Sequence, residues 1–250
     1  MTNKHAINKQ FTTHYSLITN FAFTLAETLI VMGIIGVVAA LTLPNLNSST
    51  GDKEKVAKLQ KIYSNLNDAY GRATAIYGPL SDWGLTDNHE KDCKKIGERL
   101  TEFMKISKSC GYYTEDSAPS CISQTVKKIG DTTGSGPNNI GYTYILADGT
   151  GMAIEGDKDG LYIGVDIDGP NKGRQMFGVD MFEFTTLTDK PENGIIPDSQ
   201  DNIAACIGSK GVLCTAWVIQ NGNMDYLKAN DAGKCNNSNV TLSATNMTCK

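Results

Sequence analysis

Few residues in this chain are placed to do chemistry, and the first of them sits in an unexpected position. Glu27 lies within FTLAETLIVMGIIGVVAALTL, the 21 residues from Phe23 to Leu43, and is their one charge. A carboxylate in a membrane helix costs roughly 2.5–3.5 kcal/mol near the bilayer centre, so acids there usually have a partner and a function. Glu27 stands one helical turn in from Phe23. A chain cut before Phe23 would expose a new amino group, and the carboxylate of another copy could meet it. A salt bridge formed in apolar surroundings can specify register even where its net energy is small.

The second constellation is a group of aspartates. Asp157, Asp159, Asp166, Asp168, Asn171 and Asp180 crowd one stretch of about two dozen residues. Hard oxygen ligands at close spacing suit calcium, which takes six to eight of them. Asp166, Asp168 and Asn171 are the candidate ligands. Asp166-x-Asp168-Gly169 does not open an EF-hand loop, because the twelfth position is Phe177 rather than glutamate. The competing reading is turn chemistry, which favours the same Asp-Gly pairs.

Other catalytic devices are scarce. Of three histidines, His5 and His14 precede the apolar run and only His89 comes after it. That excludes a histidine-rich metal centre and leaves any Ser–His–Asp arrangement dependent on one residue. GDTTGSGPNN, residues 130–139, lacks Gly-Lys-Ser/Thr and is no phosphate cradle. Acid pairs are numerous enough for glycoside hydrolysis, yet no pair stands out by position. Trp83 and Trp217 read either as a sugar-binding surface or as core. Asn236, Asn239 and Asn246 begin Asn-x-Ser/Thr sequons, which matter only in a eukaryotic secretory route. A net charge of -4 leaves no basic footprint, so no nucleic acid is expected as a partner.

Cysteine usage speaks to location. None occurs in residues 1–92 and seven lie beyond, from Cys93 to Cys249, with no CxxC among them. Cysteines confined to the segment beyond a span fit an oxidising compartment. Sequence alone cannot choose among the pairings, and the short-range guess is Cys110–Cys121, Cys206–Cys214 and Cys235–Cys249, with Cys93 left over. Each such loop stabilises by roughly 3 kcal/mol through restriction of the unfolded chain.

These residues need elements to hold them. As a helix, Phe23–Leu43 spans about 31 Å, which fits a bilayer. The run Asn45–Gly51 reads as a polar break, with Ser49 or Thr50 able to cap a second helix. Val56, Leu59, Ile62, Tyr63, Leu66, Ala69, Tyr70, Ala73, Ile76 and Tyr77 then recur at three and four residues. That stripe predicts an amphipathic helix ending at Gly78-Pro79 and packed on a sheet, with a coiled-coil face as the other reading. A short helix is expected over Cys93–Ile106. Strands are expected at Tyr142–Ala147, Met152–Ile154, Leu161–Ile167 and Met181–Thr186, the first pair joined by an Asp148-Gly149 turn. A short helix near Ile203–Ile207, an apolar segment over Val212–Ile219 and a disulfide-stapled end complete the chain. The fold class is α+β, with an antiparallel sheet of about four strands.

Ala22-Phe23-Thr24-Leu25-Ala26-Glu27, succeeded by the apolar run and Pro44, resembles the N-terminal signature of type IV prepilins and type II secretion pseudopilins. The resemblance covers about thirty residues. It implies that a prepilin peptidase cuts after Ala22, where the family prefers glycine, and methylates the Phe23 amine. It further implies that Glu27 aids docking into a filament beside Thr24 and Leu25, and that Pro44 bends or locally melts the helix. The family's major pseudopilins also hold calcium through loop oxygens. The implied organisation is a leader at 1–22, a transmembrane and filament-core helix at 23–44, an amphipathic continuation at 45–78 and an extracytoplasmic head at 79–250.

Removal of the leader takes Lys4 and Lys9 with it, so the mature charge is 21 - 27 = -6. Lys53, Lys55, Lys58 and Lys61 lie beyond the span, and a positive-inside count alone would place the head in the cytoplasm. The cysteines and the signature argue for the opposite face of a bacterial inner membrane. The implied partners are other copies, related pilins or pseudopilins, the prepilin peptidase and an inner-membrane assembly platform. No cofactor is expected, with calcium as the alternative. The rival function is a membrane-anchored, adhesin-like binding domain that never polymerises. An enzyme is the third reading, and the expectation is that the chain is not one.

Overall fold

A computed structural model describes residues 24–86, 88–113, 121–123, 125–134, 141–157, 160–186 and 194–249, without the side chains of 39–50. The chain divides into two compact units, Met1–Asn47 and Ser48–Lys250. Helix α1 runs Leu25–Tyr77. The break expected over 45–51 is not there, because the helical backbone continues through it. Asn, Ser and Thr each cost under 1 kcal/mol in a helix, too little to end one unaided. The unit boundary nonetheless falls within this polar run.

In the first unit, the described side chains run from Thr24 to Val38. Among the described residues no helix is long and apolar enough to cross a membrane. The rest of the Phe23–Leu43 run lies outside those side chains. Pro44 is within the helical range, with its side chain likewise outside them.

The second unit is built on the predicted stripe. Val56, Leu59, Ile62, Leu66, Tyr70 and Ala73 are buried in one cluster with Ile154, Ile163, Val165 and Phe184 of the sheet. The sheet, rather than a coiled-coil partner, therefore covers this face. Tyr63 stacks on Phe184 with ring centroids 5.7 Å apart and planes 8° from parallel. Ile76 departs from the stripe and points away from the core, at 62% exposed. Gly78 ends the helix in the left-handed region at φ 79°, and its carbonyl accepts from Trp83 Nε1 at 2.9 Å.

Helix α2 is His89–Thr101, capped by Asn88 Oδ1, which accepts the Lys91 N–H at 3.1 Å. It begins and ends about four residues earlier than expected. The cap sets the start, and Ile106 already belongs to a strand.

Six strands form the sheet, not four: β1 Ile106–Tyr112, β2 Tyr142–Leu146, β3 Gly151–Gly156, β4 Leu161–Asp166, β5 Met181–Thr186 and β6 Ile195–Pro197. They lie in chain order and every neighbouring pair is antiparallel. The two additions are the outermost strands. Strand β1 carries register shifts at Ile106/Lys108 and Ser109/Gly111, which destroy the period-two pattern a strand shows in sequence. Strand β6 is three residues long and ends in proline.

A short 3-10 helix, Gln200–Cys206, and helix α3, Thr215–Asn221, come next. Trp83 and Trp217 are both core residues, at 1% and 0% exposed. The disulfides are Cys110–Cys121, Cys206–Cys214 and Cys235–Cys249, the three short-range pairs, and Cys93 is free and buried.

The Cys206–Cys214 loop rests directly on the backbone before β5. Gly211 has φ 93°, and a Cβ there would lie 2.1 Å from the Phe177 carbonyl oxygen. Gly211→Ala is expected to destabilise by about 2 kcal/mol or more, from backbone strain and that collision. Urea unfolding of the two forms checks the value, and an unchanged midpoint would contradict it.

Candidate functional site at the N-terminal turn and the acidic loop

Thr24 and Glu27 open helix α1 with a reciprocal pair of contacts. The Thr24 N–H and hydroxyl both donate to Glu27 Oε2, at 2.9 and 3.0 Å, and the Glu27 N–H donates to Thr24 Oγ1 at 3.2 Å. This is a capping box, in which the Ser/Thr at the helix start and the Glu three residues on each satisfy the other's orphan N–H. The Thr-x-x-Glu spacing is its sequence signal, one that a reading of the acid as a docking group alone misses. A carboxylate in the first turn also faces the positive end of the helix dipole, which lowers the cost of placing it beside apolar residues. Both Thr24 donors converge on Oε2, so Oε1 stands outside the box. Ala22 and Phe23 lie outside the described residues.

Behind this turn the helix is apolar around its whole circumference. Leu25, Leu29, Ile30, Val31, Met32, Ile34, Ile35, Val37 and Val38 are between 53% and 79% exposed in the single chain. Soluble monomers rarely present so many contiguous large apolar side chains without a partner or a membrane to cover them.

The aspartates are engaged mainly by protein donors, in keeping with the turn chemistry weighed beside calcium. Asp166 is fully buried, its Oδ2 accepting from Ser123 Oγ at 2.6 Å and its Oδ1 from the Gly169 N–H at 3.1 Å. The Asn171 backbone N–H donates to Ser123 Oγ at 3.2 Å. Asp168 pairs with Lys55 Nζ at 2.9 Å. Asp180, also fully buried, accepts the N–H groups of Arg174, Gln175 and Met176. Of the three candidate ligands, Asp166 and Asp168 are engaged by protein donors, and Asn171 joins through its backbone N–H. Among the described residues no group of three or more His, Cys, Asp or Glu is placed to hold a metal ion. Of the other acids in the stretch, Asp157 accepts from the Gly160 N–H at 3.2 Å, and Asp159 lies outside the described residues.

Burial pushes the Asp166 carboxyl up to about 6, partly offset by the Ser123 hydroxyl, while Asp180 and Asp168 add to the rise. A carboxyl with a raised folded-state value holds its proton more tightly in the native chain. Stability from this group is therefore greatest below about pH 4 and is lost as pH rises through 6. The loss is about 3 kcal/mol by pH 7. Asp166→Asn removes that slope. Melting curves of the full chain at pH 4 and pH 7 are expected to show the variant gaining on the wild type across this interval, and parallel behaviour would refute the assignment.

One further cluster brings together a thiol, an imidazole and a carboxylate. His89 Nδ1 lies 2.8 Å from Tyr112 Oη and Nε2 lies 3.3 Å from Glu155 Oε1, with Cys93 Sγ 3.7 and 3.8 Å from the two ring nitrogens. Burial pushes the Cys93 thiol up to about 11. It is protonated at neutral pH, so the trio does not make an activated nucleophile.

The chain matches no family model, no curated protein and no solved structure.

Proposed function

We propose that this chain is a structural subunit of a type IV pilus or type II secretion pseudopilus. It would be inserted by its N-terminal helix, cut between Ala22 and Phe23 by a prepilin peptidase, methylated on the Phe23 amine and polymerised with copies or relatives of itself at an inner-membrane platform. The reading rests on one juxtaposition: a carboxylate in the first turn of a helix whose large apolar residues between Leu25 and Val38 are exposed. Apolar side chains bundled in a filament core supply the association energy, at roughly 25 cal/mol per Å² removed from water or an equivalent gain in packing. Glu27 supplies register, with Oε1 meeting the terminal amine of the neighbouring copy. Binding, not catalysis, is the mechanism, and the three disulfides fit a head on the oxidising side of the membrane.

The α+β head, with a long helix laid on an antiparallel sheet, supports a pilin-like fold in this reading. Mass spectrometry of the chain recovered from membranes tests it directly. The expected N-terminus is methylated Phe23, and an intact leader would overturn the proposal.

A further inference from the structure

We propose that Tyr162 docks as a knob into a pocket on a second copy of this chain, the pocket that helix α1 forms with the α2–β1 and β2–β3 turns. The contact rests on the polymer reading above and gives the second unit a share in it. Tyr162 is the second residue of β4 and pairs with Glu155 on one side and Thr185 on the other. Its neighbour Ile163 is fully buried in the cluster shared by α1 and the sheet, so Tyr162, one step along the strand, faces the other side. There it is 57% exposed, and among the described residues of the second unit only Ile76 has a large apolar side chain more exposed. Glu155 lies directly across from it, Glu183 lies on the diagonal, and Asp157 follows two residues after Glu155. His89 engages Glu155 at 3.3 Å. The knob is an aromatic ring set among carboxylates.

The pocket has the opposite character. It encloses about 310 Å³, room for a phenol ring, over an apolar floor of Phe103, Met104 and Leu146, with Lys61 and Lys105 at its rim. Among the described residues neither lysine takes part in an ion pair. Of the two acids at the edge, Asp68 is paired with Arg72 at 3.1 Å, which leaves two unspent cations against the charge of Asp148. A ring among carboxylates and an apolar floor under ammonium groups are complementary in sign and in polarity. Lysine beside a tyrosine ring adds a cation–π attraction, and tyrosine is a common interface anchor. The pocket borders the β2–β3 turn, before the Gly151–Asp166 end of the β3–β4 pair, whereas Tyr162 lies next to its Gly156–Leu161 end. Knob and pocket thus occupy opposite ends and opposite faces of the sheet, so one copy does not fill its own pocket. The contact is head-to-tail, and each copy keeps a knob or a pocket for the next, as a growing filament requires.

The test places the photoreactive residue p-benzoylphenylalanine at position 162 of the full chain and irradiates two samples, membranes with their sheared filaments and the chain in detergent. The expected product is a covalent dimer in which peptide mapping joins position 162 to Phe103 or Met104 of the second copy. Lys61→Glu with Lys105→Glu is expected to lower its yield about tenfold, because like charges then meet across the contact. If that pair disturbs the near-ultraviolet circular dichroism of the chain, Lys61→Gln with Lys105→Gln serves instead, with a smaller loss expected. A junction mapped elsewhere, or a yield indifferent to the lysine changes, would overturn the docking. Filaments that lack this junction would overturn the docking and keep the polymer reading. The junction in detergent without any filament would keep the docking and remove the polymer reading, and absence of both would remove both.

Discussion

Glu27→Gln is expected to leave cleavage before Phe23 intact and to abolish filament growth. Glutamine preserves the shape of the side chain and the capping box, since Gln serves at that position as Glu does. Only the negative charge is lost. In the assembly reading, the neighbour's terminal amine would then enter apolar surroundings without its counter-ion. Breaking a buried pair by removing one partner costs roughly 3–5 kcal/mol. At about 3 kcal/mol per added copy, the concentration needed for growth rises more than a hundredfold. Glu27→Val should behave alike and also lose the cap. The discriminating outcome is Gln normal and Val defective, which would assign Glu27 to helix capping alone. Yield of sheared filaments, set against mass spectrometry of the processed N-terminus, separates the cases.

The second large effect belongs to Phe184, where the amphipathic helix meets the sheet. Its ring is fully buried and lies flat on Tyr63, so Phe184→Ala removes both the apolar burial and an aromatic stack from the centre of the core. Truncations of this kind cost about 3–5 kcal/mol. For a unit of this size that corresponds to a melting temperature lower by roughly 6–20 °C. A drop of only a degree or two would mean that the helix is not anchored on the sheet as described.

The legible parts of the fold are those whose side chains repeat with the period of the backbone. The Val56–Tyr77 stripe and the Asp148-Gly149 turn can be read because one face of each element is buried. Strand β1 cannot, since its two bulges break the alternation. Strand β6 is too short for a pattern. The start of α2 is missed unless Asn88 is recognised as its cap. Local chemistry is legible in the cysteines, where short loops are the cheapest to close. It is illegible at Asp168, because its partner Lys55 is 113 residues away in the chain. Nothing in the spacing of the aspartates announces that a lysine of a distant helix will reach one of them.

The outermost strands bear on how the second unit tolerates crowding. Strand β1 ripples at its two bulges and exposes Lys108, while β6 offers only three residues, one of them proline, with the Ile195 N–H taken by Asn67 Oδ1 at 3.1 Å. Irregular, charged or truncated borders discourage strand-to-strand annealing between molecules. In the proposed filament, copies held at high local density would then lie side by side without fusing their sheets, and self-association would be left to the apolar helix and to the Tyr162 contact.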